Sequence, residues 1–410
     1  MRNLLKFFQA PVKTGDRNHD LYTNNLFYLR WLTLFRSMYF IVAVWVSMEL
    51  LHISFSQVAL LDIIIVFSGL FLELPTGALA DLIGRKLSIA AAFVILALSY
   101  FVFAFANNFT WFLIAGLGFG LGDALVSGAL EALIFDTLKQ NDREAEFTQV
   151  NNANQLIFNY GIVFAIIVGG LLYQWNYHLP SILTGLAFVV ATFITWRFIE
   201  PDIDSEKFTL RNYLRQTKLG FKELFKNQQA KDMSLFYILV GSLTWPIILS
   251  FKNYALVDLG VSEQNIGFIL AFLSLLAVQI LHFFIRRRAF ERVRNVLLTP
   301  TVLLLLILPM AWIYQVWSMI PLIFVVFFSS SLRWNVLGRL TNQCYSSKNR
   351  ATAISSLSML ISVAYIATLG WFMLLGKFTE HAVQWTLLTM GLLAVLFLPA
   401  TAKRLYARYK

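Results

Sequence analysis

The sequence predicts an all-α membrane protein of twelve transmembrane helices, arranged as two six-helix bundles with both termini cytoplasmic. Three observations carry that prediction: an apolar composition, twelve apolar windows of spanning length, and basic residues gathered on one side. Hydrophobic residues make up 58% of the 410 and charged residues 13%, with a mean hydropathy of +0.68. A soluble domain carries about a quarter charged residues, so the bilayer is the solvent this chain suits. In lipid each segment must satisfy its own backbone, which takes roughly 20 apolar residues per helix. Strand-like alternation is absent, which argues against a β-barrel.

In the first half the windows fall at 30–51, 57–78, 87–106, 111–134, 149–173 and 180–199. In the second they fall at 233–256, 264–285, 296–315, 318–340, 352–375 and 382–402. The polar start, with "RNHDLYTNN", holds no cleavable apolar core and reads as a cytoplasmic tail. With that end inside, 29 of the 33 Lys and Arg lie in cytoplasmic segments. Lys377 is the only external one, and Arg36, Lys252 and Arg333 fall within spans. This is the positive-inside pattern, so the net charge of +11 reflects topology and not a nucleic-acid partner. Cys344 is the single cysteine, which excludes an internal disulfide.

The longest polar interruption, 200–232, divides a bundle at 1–199 from a bundle at 233–410. Within it Leu210, Leu214, Thr217, Phe221, Leu224 and Phe225 recur at helical spacing, predicting an amphipathic helix on the cytoplasmic face of a solvated linker. The halves echo one another: "LHISFSQVAL" (51–60) matches "LGVSEQNIGF" (259–268) in pattern, and "NDREAEFTQV" (141–150) matches "KNRATAISSL" (348–357) at nearly the same offset. Parallel repeats of six spans are a transporter architecture, with the site near the midplane between them.

Between spans 2 and 3 the chain reads "LELPTGALADLIGRK" (72–86), four charges between two apolar runs. Gly77 and Asp81 share a helix face, and Gly77, Ala78 and Ala80 let another helix approach closely. Asp81 can then receive the positive end of a neighbouring helix dipole. Gly84 permits a tight reversal, and Arg85 and Lys86 hold the turn inside.

Here the sequence resembles the major facilitator superfamily. "GALADLIGRK" fits the family signature between spans 2 and 3, and "SGALEALIFDTL" (127–138) and "NRATAISSLSML" (349–360) look like further family passages. The resemblance covers nearly the whole chain. It implies a conformational latch, with Asp81 facing the start of span 11 near Ala351 and Thr352, and Arg85 paired with Asp136 at the end of span 4. Glu73, one turn above the motif, and Glu131, five residues before Asp136, would support that gate. The chain also departs from the family. The second-half counterpart "FIRRRAFERVRN" lacks the glycines and aspartate, the glycine-rich run "FLIAGLGFGLGDAL" (112–125) lacks the arginine of many proton-coupled members, and "FAIIVGG" (164–170) lacks the Gly-Pro of exporters.

Ionisable residues inside spans are functional candidates by default. Asp123 lies midway along span 4 and could change protonation, or serve as a hydrogen-bonded structural acid. Arg333 in span 10 could neutralise an anionic substrate or pair with Asp123. Lys252 lies near the outer end of span 7, where snorkelling would suffice. Arg36, toward the inner end of span 1, and Asp62 and Glu49, toward the outer surface, are weaker candidates. Asn151, Gln155 and Asn159 stack amides along one face of span 5, where amides can line a substrate path or join two helices; Asn151 reads as the interhelical one and Asn159 as the one facing the cavity. Trp245, beside Pro246, and Trp334 could stack on a flat or cationic substrate, although packing aromatics are commoner.

These features lead to a secondary active transporter working by alternating access, with proton-coupled efflux of drug-like or metabolite compounds as the first reading. Uptake of a nutrient is the alternative within that class. A lipid-handling membrane enzyme or a non-transporting receptor is the alternative outside it. No P-loop, HExxH, GxSxG or zinc-like cluster is present in the sequence, so no cofactor or metal is expected. The expected partners are a small-molecule substrate, a proton or other coupling ion, and the lipid of a bacterial cytoplasmic membrane. The chain is expected to work as a monomer.

Overall fold

A computed structural model describes residues 15–202, 210–346 and 350–409. Inside helices, the side chains at 73–75, 77–82, 148, 210–214, 216 and 351 are outside that description. The described chain is almost wholly helical. Among the described residues eleven helices are long and apolar enough to cross a membrane: α1 (Arg17–Ala43), α2 (Phe55–Ile83), α3 (Arg85–Phe105), α4 (Phe109–Lys139), α5 (Phe147–Trp175), α7 (Gln228–Asp258), α8 (Glu263–Arg286), α9 (Val293–Ile313), α10 (Val316–Cys344), α11 (Arg350–Leu375) and α12 (Ala382–Ala407). The remaining window, α6 (Leu179–Thr195), is apolar but only 17 residues long. A linker helix occupies Leu210–Leu224.

The first span begins earlier than hydropathy suggests. Asp16 caps α1 by accepting from the Asn18 N–H at 3.1 Å, so the polar stretch expected as a tail is helical from Arg17. One of its amides is used inside the protein. Asn25 is buried; its Nδ2 donates to Thr137 Oγ1 and to the Ile199 carbonyl, both at 2.9 Å, while the Ile199 N–H donates to its Oδ1 at 2.9 Å. One asparagine thus ties α1, α4 and the chain beyond α6. The regular helix stops at Arg36, gives way to a 3₁₀ turn at Phe40–Ala43, and resumes at Trp45.

The chain forms two compact units. The first comprises residues up to Ile53 together with Ile64–Leu210; the second comprises Ser54–Ile63 and Arg211–Lys410. In the first, α3 packs on α4 and α6, and the 3₁₀ turn packs on α5. The glycine run of α4 explains the closeness of its neighbours. A Cβ at Gly120 would lie 2.0 Å from Ser68 Oγ on α2, and one at Gly118 would lie 2.0 Å from Ser99 Oγ on α3. Gly116 meets α2 at Ile65, and Gly122 meets α3 at Leu96, so alternate glycines serve two neighbouring helices.

In the second unit α7 packs against α11, α12 and α10. The linker helix docks here and is not a free tether. A Cβ at Gly220 would lie 2.6 Å from the Thr352 carbonyl, and buried Glu223 accepts from the Ser346 N–H at 2.7 Å. Two helices of this unit contain π-turns: α7 at Ile247–Phe251, directly after Pro246, and α10 at Arg333–Leu337.

Candidate functional site

In the first unit the turn after α2 is built as its sequence requires. Gly84 has φ +92°, a conformation that side chains with a Cβ rarely adopt, and α3 starts at the next residue. The first N–H groups of α3 have no helical partner, and Glu200 supplies one: its two oxygens accept from the Arg85 N–H at 2.7 Å and the Lys86 N–H at 2.8 Å. No sequence signal links positions 115 residues apart, so this cap emerges only from the fold. Lys86 lies over the Trp196 ring at 5.8 Å.

Arg85 forms an ion pair with Asp136, both side chains being largely buried at 14% and 11% exposure. Double replacement of Arg85 and Asp136 by alanine is expected to cost less than the two single losses together. Their coupling in unfolding measurements should be about 0.5–3 kcal/mol; additive losses would show that the contact contributes nothing. Glu131 is exposed and makes no ion pair among the described residues. The side chains of Glu73, Gly77, Asp81 and Ala351 lie outside the described residues.

Asp123 is accessible from outside its unit, although protein surrounds it closely. The positive charge acting on it is that of Arg36, at the end of the regular part of α1. The two form no direct ion pair among the described residues. Tyr39 and Tyr100 also feel the aspartate's charge, and their rings meet edge to face at 6.1 Å. Arg36 sits 6.0 Å from the ring centre of Phe158 on α5. On the same helix Gln155 Nε2 donates to Asn159 Oδ1 at 2.9 Å, and both amides are exposed on the unit. Asp123, Arg36 and this amide pair therefore belong to one helical unit.

The second unit holds a constellation that sequence reasoning underrates. Asp62, a weak candidate on sequence and expected near the outer surface, accepts three hydroxyls at its Oδ2: Ser250 at 2.7 Å, Tyr254 at 2.9 Å and Tyr365 at 3.2 Å. Lys252 acts on the same carboxylate electrostatically. Its ammonium does not snorkel. It is buried at 8% exposure and donates to the Ile248 carbonyl, which the π-turn leaves accessible. Rings from Phe55, Phe251 and Phe372 close around Tyr254. Opposite charges in two apolar runs are the available sequence signal, but their meeting depends on folding. Asp62→Asn should lower unfolding stability by about 1–3 kcal/mol, because the amide presents a donor where hydroxyls donate; unchanged stability would exclude the carboxylate as the hub of this cluster.

Arg333 is 2% exposed and lies within the π-turn of α10. Tyr237 and Trp334 flank its guanidinium at 5.0 and 4.6 Å, and its Nε has no hydrogen-bond partner among the described residues. No carboxylate pairs with it among those residues either. Trp334 thus stacks on a cation of its own chain. Trp245 is half-buried beside Pro246.

The family model of the Major Facilitator Superfamily matches residues 26–288. The MFS-type transporter YxaM of Bacillus subtilis (strain 168) is 27% identical over 236 residues, covering 57% of this chain and 58% of the relative. Quinolone resistance protein NorA of Staphylococcus aureus (strain MRSA252) is 21% identical over 197 residues, covering 47% of this chain and 49% of the relative. The chain therefore spans about half the length of the curated relatives it matches. Among solved structures, a point mutant of the nucleoside transporter NupG superposes with a TM-score of 0.71 at 13% identity, over 93% of this chain and 99% of that one. A bacterial homologue of the iron transporter ferroportin, in an inward-facing state, gives 0.68 at 15% identity, over 93% and 98%. The signature turn at Gly84, the helical architecture and the family match agree: this chain belongs to the Major Facilitator Superfamily.

Proposed function

We propose that the chain is a secondary active transporter that exports a small, partly apolar compound in exchange for protons. The observation that carries this reading is the accessible Asp123 with Arg36 nearby in the first unit. A carboxylate held in apolar surroundings next to a fixed positive charge can gain and lose a proton as its surroundings change. Asn159 and Gln155 supply amides for a polar substrate group. Arg333, Trp334 and Trp245 supply a cationic and aromatic surface. The Arg85–Asp136 pair, with Asp81, Gly77, Gly84, Glu73 and Glu131, forms the gate. Export as the direction is supported by the similarity to a quinolone resistance protein, and a bacterial cytoplasmic membrane by the bacterial relatives. The chain works as a monomer of two bundles joined at 200–232.

Inside-out vesicles with an acid interior, challenged with lipophilic cations, sugars and small acids, test the reading. Substrate accumulation accompanied by proton release supports it; accumulation independent of the proton gradient would remove proton coupling. The orientation has its own test. Cys344 ends α10 on the side assigned to the cytoplasm, so a membrane-impermeant maleimide should label it in inside-out vesicles and not in whole cells. Labelling in cells would reverse the topology.

A further inference from the structure

We propose that the linker helix Leu210–Leu224 is a binding surface for anionic phospholipids of the cytoplasmic leaflet, with Arg215, Lys218 and Lys222 holding their headgroups. Periodicity alone would lay the apolar face of such a helix on the membrane. In the second unit that face is already packed on protein. A Cβ at Gly220 would meet the Thr352 carbonyl and Ser356 Oγ of α11, both at 2.6 Å. Leu224 is fully buried, and its carbonyl accepts from Ser234 Oγ of α7 at 3.3 Å. With Glu223 holding the Ser346 N–H as well, the helix cannot roll, and its outward face is fixed.

That outward face is cationic. At about 100° per residue, Arg215, Lys218 and Lys222 each lie about 140–160° around the axis from Gly220. All three are exposed and make no ion pair among the described residues. Lys226, just past the helix, is neutralised by Glu223 at 2.5 Å and adds nothing to the row. Leu219, on the flank, is 39% exposed, and Phe225, after the last turn, is 51% exposed. Two large apolar side chains beside three cations without partners suit the boundary between hydrocarbon and headgroups better than water.

Depth selects the partner. Thr352 and Ser356 belong to the first turns of the spanning segment Thr352–Leu375, and Ser234 to the second turn of α7. A helix held beside those residues lies where spans enter the bilayer, at the level of the headgroups. The excess of Lys and Arg assigns this side to the cytoplasm, and anionic lipids give a membrane surface a negative potential that attracts basic segments. Lipid held on this face steadies the linker helix on α11 and, through Glu223, the chain entering α11.

The full chain would be placed in nanodiscs of phosphatidylglycerol, phosphatidylcholine or an equal mixture. Retained lipids would be weighed by native mass spectrometry, and amide hydrogen exchange followed across 215–224. The expected result is preferential retention of phosphatidylglycerol, with slower exchange of the linker helix in that lipid. Arg215→Gln, Lys218→Gln and Lys222→Gln combined should remove both effects, and each alone should weaken the preference about fivefold. The single variants keep the test open should the triple variant fail to fold. Arg215→Lys with Lys218→Arg and Lys222→Arg should preserve the preference, because charge is what the headgroups read. Equal retention of the two lipids, or a preference for phosphatidylglycerol that survives every glutamine variant, overturns the proposal. So does slower exchange with polyglutamate in phosphatidylcholine discs but not with phosphatidylglycerol, which would give this face to an acidic protein.

Discussion

Asp123→Asn is expected to abolish proton-coupled flux while leaving exchange of substrate against substrate. The asparagine keeps the size and the acceptor of the native side chain but cannot change charge. A transporter that must pick up a proton to return its empty site would therefore lose net flux by on the order of 100-fold, the scale of removing a positioned proton-transfer group. Exchange needs no proton and should continue. Arg36 supplies the control, because its charge acts on the aspartate. Arg36→Gln should impair proton-coupled flux while sparing substrate exchange, and coupled flux equal to wild type would show that the arginine plays no part in coupling. Unaltered coupled flux in Asp123→Asn would make that residue structural.

Arg333→Met is expected to do two opposite things: stabilise the fold and stop transport. The guanidinium is buried without a carboxylate among the described residues, held by a tyrosine and a tryptophan, and its Nε is unsatisfied there. Replacing even a buried ion pair by apolar side chains of similar volume is often stabilising by about 1–4 kcal/mol, and a guanidinium buried without a carboxylate lacks the attraction that offsets its desolvation. A protein that keeps such a residue gains something other than stability from it, and the gain proposed here is a fixed positive charge for an anionic group. A higher unfolding temperature with flux at background would bear this out. A lower unfolding temperature would mean that stacking against Tyr237 and Trp334 outweighs desolvation, and Arg333 would then be part of the scaffold.

The membrane helices are legible in the sequence because hydropathy is local: a run such as 87–106 must find lipid or protein whatever its neighbours do. The reversal at Gly84 is legible for the same reason, since the backbone conformation depends on one residue. Boundaries are harder wherever polar residues do structural duty. Asn25 belongs to a span because its amide is satisfied by Thr137 and Ile199, which no window around residue 25 contains. The same limit hides the Asp62 cluster. Its partners lie 188, 192 and 303 residues away in sequence, and three hydroxyls scattered through apolar runs carry no pattern. The glycines of α4 are visible, but that alternate ones serve α2 and α3 emerges only from the packing. Snorkelling is a reasonable reading of Lys252 for a regular helix; the π-turn before it changes where its ammonium finds acceptors.

That π-turn has a consequence for what a helix face means in this protein. Successive residues of an α-helix advance by about 100° around the axis, and a π-turn accommodates one extra residue without adding a turn. Side chains on the two sides of Ile247–Phe251 are therefore out of phase by nearly a third of a revolution relative to an uninterrupted helix. The same holds across Arg333–Leu337. Removing a single residue from either turn would act as a rotation more than a shortening: beyond the first, it would swing Lys252 away from Asp62, and beyond the second it would re-aim the whole segment Gly338–Cys344.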